Sequence, residues 1–479
     1  MHTANRAPSD LTRRMEQGSI LPLVIRLTLP AVAAQLITFL YNIVDRMYVA
    51  RIPDAGMDAL AALGIVLPIT LMIQAFANLI GLGSAPRAGI KLGEGDPAEA
   101  NRIFNTAFLL LLLIGLILGA GTFCFSRQIV ELFGCPASAV AYADDYLKIY
   151  ACGTVFVMLA QGLNPLILTQ GCSLTAMGTV LLGAVVNIAL DPLLIFTFHM
   201  GVAGSSLATV LSQACSCAAV AAFFWTRRSL FRFRRKEMRF RAARVREILS
   251  LGVTPFVMTL TECAIQIVFN VNLNRATGGD KDYTAALTVM LSALQLISLP
   301  LNGMGNGMQP FVSYLYGKGD AVRLKKGIRC VTVLAFLFCC SIWSVSMAAP
   351  ELYASLFSAS ETVTEIVRAN GPLFLMGSIL FFVQMTLQNV NVGLGQAGMA
   401  LFLAVNRKVI VLIPLCFVLT EVMGWRGVYL SEGIADLSAG LVTAAVIFIR
   451  LPKIIRARAE TVRKTAQNRL NVPTEAPEH

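Results

Sequence analysis

Twelve stretches of the chain run for roughly 20 residues or more with hardly a charge. They lie near 20–46, 58–84, 100–125, 138–163, 166–197, 203–226, 248–274, 284–312, 328–349, 364–391, 396–419 and 428–450. About 20 apolar residues in a helix cross the roughly 30 Å hydrocarbon core of a bilayer, where backbone polar groups must be satisfied within the segment. A chain built this way is expected to fold as an all-α polytopic membrane protein with twelve transmembrane helices. Charged residues make up 14% of it, against about 25% in an ordinary soluble domain. The first stretch, from Ile20, is longer than a signal-peptide core and has no small-residue cleavage pattern behind it, so it is expected to remain as a span.

A net charge of +12 would suggest nucleic acid in a soluble protein, but here the Lys and Arg cluster in the gaps between apolar runs and read as topology. With both termini cytoplasmic, the inner segments hold 28 of the 39 basic residues, ten of them in 227–246. A multi-pass protein of the cell inner (plasma) membrane is expected, with lipids and small molecules, not nucleic acid, as partners. The eleven Cys show no ligand spacing and lie mostly inside apolar runs, so neither disulfides nor a metal are expected. His2, His199 and His479 are scattered, and there is no phosphate-binding loop. The chain therefore reads as neither an enzyme nor an ATP-driven pump, and needs no cofactor; any energy would come from an ion gradient.

The two halves resemble each other. AALGIVLPITLMIQAFANLIGLGSAPRAGIKLGEGD, from Ala61 to Asp96, aligns without gaps on Ala285 to Asp320 at a constant offset of 224. Gly81, Gly83, Pro86, Gly93, Gly95 and Asp96 meet Gly305, Gly307, Pro310, Gly317, Gly319 and Asp320; further on, Gly171, Met177 and Pro192 pair with Gly393, Met399 and Pro414. Each half has six spans, so equivalent spans run the same way, and the two six-helix lobes should be related by a pseudo-twofold axis along the membrane normal. The expected division is an N-terminal lobe (1–226), a basic linker (227–247), a C-terminal lobe (248–452) and a cytoplasmic tail (453–479). Phe231, Phe233, Met238, Phe240 and Val245, interleaved with Arg, suggest that the linker lies on anionic headgroups as a surface helix.

Ionisable residues inside a span cost roughly 2.5–3.5 kcal/mol at its centre on insertion scales, which makes each a functional candidate. Asp191 stands out: Asn187 is one turn earlier on the same face, Pro192 frees a backbone carbonyl nearby, and the position paired with Asp191 in the second half is Ile413. Asp45 sits beside Arg46 at the end of span 1. Glu262 is near the middle of span 7 and starts a polar stripe with Gln266 and Asn270. Glu432 and Asp436 read as interface or helix-end charges. Arg407 and Lys408 either bind an anionic substrate or pair with an acid from another helix. Gln161, Asn164, Gln295, Gln384, Gln388 and Asn389 either join helices or line a wet cavity.

LPAVAAQLITFLYNIVDRMYVARIPDAGMDALAALGIVLPI, followed by GLGSAPRAGIKLGEGDPAEAN, resembles the multidrug and toxic compound extrusion (MATE) family, and most of all its bacterial MepA-like and DinF-like group. The resemblance implies two six-helix lobes in a V, working as a secondary active antiporter that exports lipophilic, often cationic compounds by rocker-switch alternating access. It places the family's N-lobe acid network on Asp45, Asn187, Asp191 and Thr209, chamber-lining positions on Tyr41 and Asn164, and a span 1 bend at Pro30. Glu262 matches a span 7 carboxylate of the NorM-like branch. That branch also has an acid in span 10, where this chain offers only Gln384, Gln388 and Asn389. Proton coupling is therefore expected over sodium, in a monomer. The alternative is a lipid-linked precursor flippase of the same superfamily, which should carry a strongly basic cavity.

Overall fold

A computed structural model describes residues 15–52, 56–356 and 360–470. His2, His479 and the expected tail segments 1–14 and 471–479 lie outside the described residues. Among the described residues, twelve helices are long and apolar enough to cross a membrane. In the first half they are α1 (Ile20–Val49), α2 (Gly56–Gly93), α3 (Pro97–Cys124), α4 (Val140–Thr169), α5 (Ser173–Thr197) and α6 (Gly201–Trp225). In the second they are α7 (Ala242–Thr277), α8 (Lys281–Lys318), α9 (Ala321–Ala348), α10 (Glu361–Gly393), α11 (Ala397–Met423) and α12 (Trp425–Leu470). Every expected span coincides with one of them, and no strand occurs among the described residues.

The duplicated motif has a local structural cause. Gly95 and Gly319 take left-handed φ angles of 79° and 80°, which end α2 and α8 without the steric cost a Cβ would add. Asp96 then accepts from the Glu99 amide at 2.9 Å and Asp320 from the Arg323 amide at 3.0 Å, each capping the next helix. GEGD and GKGD are thus the same stop-and-restart signal. One pairing from the sequence needs correction: the partner of Gly171 (φ 71°) in backbone conformation is Gly395 (φ 73°), not Gly393, which is helical. Leu415, the residue then opposite Asp191, is as apolar as Ile413.

One buried apolar cluster, including Ile80, Phe104, Leu111 and Phe224, fills the first lobe, and a second around Phe269, Phe374, Phe381 and Tyr429 fills the other. A third joins Leu23, Val24 and Leu27 of α1 to Met308, Phe311 and Leu315 of α8, so α1 packs on both halves. Because lipid tails are as apolar as the helices, small residues that permit close approach hold such bundles together. Gly81 lies against Gly162 within the first lobe. Between lobes, Gly83 faces the Ile248 carbonyl, Gly252 the Leu79 carbonyl, Gly93 the Tyr314 carbonyl and Gly317 the Ile90 carbonyl. These approaches lie on the side that carries the linker, where the two halves close on each other.

The linker is not a surface helix. Residues 227–241 form an irregular strap with one short helical turn at Arg235–Glu237. Phe231 is fully buried and, with Phe233, packs on Phe104 at ring separations of 5.6 and 5.1 Å. Asn105 pins the strap by donating to the Arg232 carbonyl (2.9 Å) and accepting from the Arg234 amide (3.0 Å), while Gln170 accepts from the Leu230 amide (2.6 Å). Arg244 grips Glu99 at 2.6 and 3.3 Å. Strap aromatics complete the apolar core and side-chain amides satisfy its backbone, so the segment gains more here than as a helix on headgroups. Past the membrane, 453–470 continue α12 as a helix that brings Arg458 to Glu94 of the first lobe.

Candidate functional site

A cavity of about 330 Å³ sits inside the first lobe and reaches α8. Its lining includes Gln35, Thr38 and Tyr41 of α1, Gln74 and Asn78 of α2, Gln161 and Asn164 of α4, Thr179 of α5, Ser212 and Gln213 of α6, and Gln309 of α8. No lining residue carries a formal charge. Asn164 donates to the Ala176 carbonyl (3.0 Å) and to Thr179 Oγ1 (2.9 Å), which fixes its amide on the wall. Tyr41, Gln161 and Asn164 all line this polar but uncharged surface.

The acids lie one to two helical turns beyond this cavity on the same helix faces. On α5, Gly183 and Ala184 line the cavity, Asn187 follows one turn on, and Asp191 one turn after that. Asp191 is fully buried; its Oδ1 accepts from Asn187 Nδ2 at 3.5 Å, and its Oδ2 has no protein partner. Asp45 on α1 faces Asp191 and accepts from Ser205 Oγ of α6 at 2.9 Å. Thr209, a turn further along α6, neighbours the Tyr146 hydroxyl, and Tyr41 lies close to Asp45. Two facing carboxyls with an unpartnered oxygen can take up a proton or a small cation, and like charges this close resist simultaneous ionisation. Sequence reading missed Ser205; its only trace is a Ser205-Ser206 pair in an apolar helix.

The second lobe holds a different ionic arrangement. Arg407 of α11 donates through Nε to Asp436 Oδ1 at 2.6 Å and through Nη2 to Glu432 Oε1 at 3.2 Å, both on α12, and its guanidinium stacks 4.8 Å from the Phe381 ring centroid. Lys408 pairs with Glu262 of α7. Glu432 and Asp436 are 4% and 0% exposed, so they are not interface or helix-end charges: the Arg407 guanidinium draws both into the lobe. Lys408 and Arg407, each open in the sequence between an anion-binding and a pairing role, are both paired.

Gln266, Asn270 and Gln295 are exposed and line neither cavity described. Gln388 and Asn389 line a smaller space of about 20 Å³ with Thr254, Met258 and Asn302, large enough for little more than a water. Gln384 is buried beside them in sequence, with its carbonyl oxygen unpartnered. Pro30 lies buried inside α1, which is a continuous helix across it. Among the described residues no group of three or more His, Cys, Asp or Glu could hold a metal ion, and all eleven Cys are free.

The family model MatE matches the chain twice, over residues 30–193 and 255–418, so the two matches start close to the repeat offset seen in the sequence. Multidrug export protein MepA of Staphylococcus haemolyticus (strain JCSC1435) is 26% identical over 437 residues, covering 90% of this chain and 94% of that protein. Its namesake in Staphylococcus aureus (strain NCTC 8325 / PS 47) is 23% identical over 91% and 95%. Among solved structures, the MATE multidrug transporter DinF-BH in complex with R6G superposes with a TM-score of 0.85 at 27% identity, covering 93% of this chain and 98% of that one. The outward-facing conformation of a multidrug resistance MATE family transporter of the MOP superfamily gives a TM-score of 0.86 at 20% identity, covering 94% and 99%. With its family model matched in both lobes and over most of its length, the chain belongs to the multidrug and toxic compound extrusion family of membrane transporters.

Proposed function

We propose that the protein is a secondary active exporter that moves lipophilic, often cationic compounds out of the cell in exchange for protons, acting as a monomer in the cytoplasmic membrane. The observation that carries this reading is the Asp45–Asp191 pair, set a turn or two beyond an uncharged, amide-lined cavity on the same helices and without an acid at the matching place in the other lobe. An ionised acid attracts a cationic substrate; a proton arriving from the other side removes that attraction. A ligand shifts a two-state transporter only by its difference in affinity for the states, so competition for one charge supplies the coupling. With the linker and both termini in the cytoplasm, the closed side is cytoplasmic and rocking of the lobes opens it.

Proton is favoured over sodium because Glu262, the second-lobe carboxylate a cation site would need, is taken by Lys408. The flippase reading has less support: no Lys or Arg lines the larger cavity, and Arg407 and Lys408 are bound to acids. The test is efflux of a fluorescent lipophilic cation from everted vesicles of a pump-deleted host. It is driven by an imposed pH or sodium gradient, for wild type and Asp191→Asn at matched expression. A pH-driven efflux that Asp191→Asn abolishes supports the proposal. No efflux under either gradient sinks it, and a sodium-driven efflux replaces the proton by sodium.

A further inference from the structure

The cluster in the second lobe carries one more acid than cations. Three carboxyl groups face two cations: Arg407 bridges Asp436 and Glu432, and Lys408, which lies beside the same two acids, also pairs with the more exposed Glu262. Asp436, Glu432 and Arg407 are 0%, 4% and 6% exposed, so no water shell is available to stabilise a surplus negative charge. The hydrogen bonding is unbalanced in the same way. Arg407 serves one oxygen of each acid, while Asp436 Oδ2 and Glu432 Oε2 are both buried without a partner. An ionised carboxylate can only accept, so two orphaned acceptors lie together where a donor is missing.

The charged and titratable groups near the two acids are few. From α11 come Arg407, Lys408 and the Cys416 thiol, which lies near Glu432. From α7 comes Glu262, which reaches Lys408. The facing part of α10, Met376 to Leu387, has no titratable side chain and contributes the Phe381 ring and Gly377, whose missing side chain lets Asp436 sit against the helix.

We propose that Glu432 and Asp436 share one proton at neutral pH, held beside Arg407, and that this makes a proton-binding site in the second lobe separate from Asp45 and Asp191. The proton turns one orphaned oxygen into a donor and brings the trio of Arg407 and two acids to neutrality. Its departure would leave a net negative charge where α7, α11 and α12 meet. Lys408, the other cation beside the two acids, would answer by leaving Glu262, so occupancy of the site is linked to the contact between α7 and α11. The site does not depend on the export reading, because its charge balance holds whatever the protein carries.

The experiment uses the full chain in lipid nanodiscs and reads the infrared carbonyl band of protonated carboxyl groups at pH 7. Asp45→Asn/Asp191→Asn serves as the reference so that the first lobe contributes nothing. Adding Glu432→Gln or Asp436→Asn should each remove the same band, of one carboxyl's intensity, because the acid left behind forms a simple ion pair with Arg407. Loss with neither variant, or with only one of them, overturns a shared proton. If an amide variant is not recovered folded, Arg407→Gln in the same reference decides: the band should double as both acids become neutral, and an unchanged band overturns the proposal.

Discussion

Ser173 on α5 donates its hydroxyl to the Arg26 carbonyl on α1 at 3.0 Å. This carbonyl is the one that Pro30, four residues on, leaves without a helical partner because proline has no N–H. The defect in α1 is thus repaired by the N-terminal end of the helix that carries Asp191.

Ser173→Ala should remove the partner of the Arg26 carbonyl and cost about 0.5–1.5 kcal/mol, the net worth of a typical hydrogen bond that is only partly buried. In a Pro30→Ala background the carbonyl regains a helical N–H, so the same substitution should cost far less. Thermal unfolding of the four proteins closes a double-mutant cycle, and a coupling near zero would refute the repair.

Asp45→Asn should abolish gradient-driven efflux as completely as Asp191→Asn does, and the double variant should be no worse than either, since residues acting as a unit are not additive. Ser205→Ala, which removes the 2.9 Å bond to Asp45, should slow efflux by about tenfold and spare it otherwise, in line with a hydrogen bond to a charged group. Additive losses in initial rates would separate the two acids.

Arg458 closes the linker side by reaching from α12 to Glu94, beside the Lys91–Glu94 pair at 2.8 Å. Burial works against the Glu94 charge, but Lys91 and Arg458 outweigh it and hold the carboxyl below its usual range. A depressed carboxyl contributes stability above its unfolded pKa, and that contribution is lost only as pH falls through the lower folded value. Hydrogen exchange across 456–465 should therefore stay slow at neutral pH and speed up only in acid. Glu94→Gln should make it fast at every pH; protection unaffected by that substitution would show that the pair does not hold α12 in place.

Phe231→Ala should destabilise the protein by about 3–5 kcal/mol, the range for truncating a buried aromatic. Phe240→Ala, at a position 50% exposed, should be close to neutral. Equal thermal shifts for the two variants would mean that the strap is not docked as the ring contacts indicate.

The membrane spans and the repeat were legible because each leaves a periodic or local mark: apolar length for α1 to α12, and a glycine-aspartate punctuation for Gly95–Asp96 and Gly319–Asp320. Asp191 was legible for the same reason, as an acid in a run that bilayer physics keeps apolar. The linker misled because interleaved Phe and Arg fit a headgroup surface as well as a groove; only Phe104, with Asn101, Asn105 and Gln170 around it, settles the choice.

By itself the sequence determined that this chain spans a membrane twelve times in two like-oriented halves, since the cost of exposing polar backbone to lipid acts on each segment alone. The tertiary structure decided which polar groups meet. Ser205 finding Asp45 across 160 residues, and Arg407 finding Glu432 and Asp436 across 25 and 29, depend on the rotation and depth of helices that packing sets. Such contacts have no period in the sequence, because each partner is a single polar residue whose face is chosen by the small-residue contacts of its neighbours.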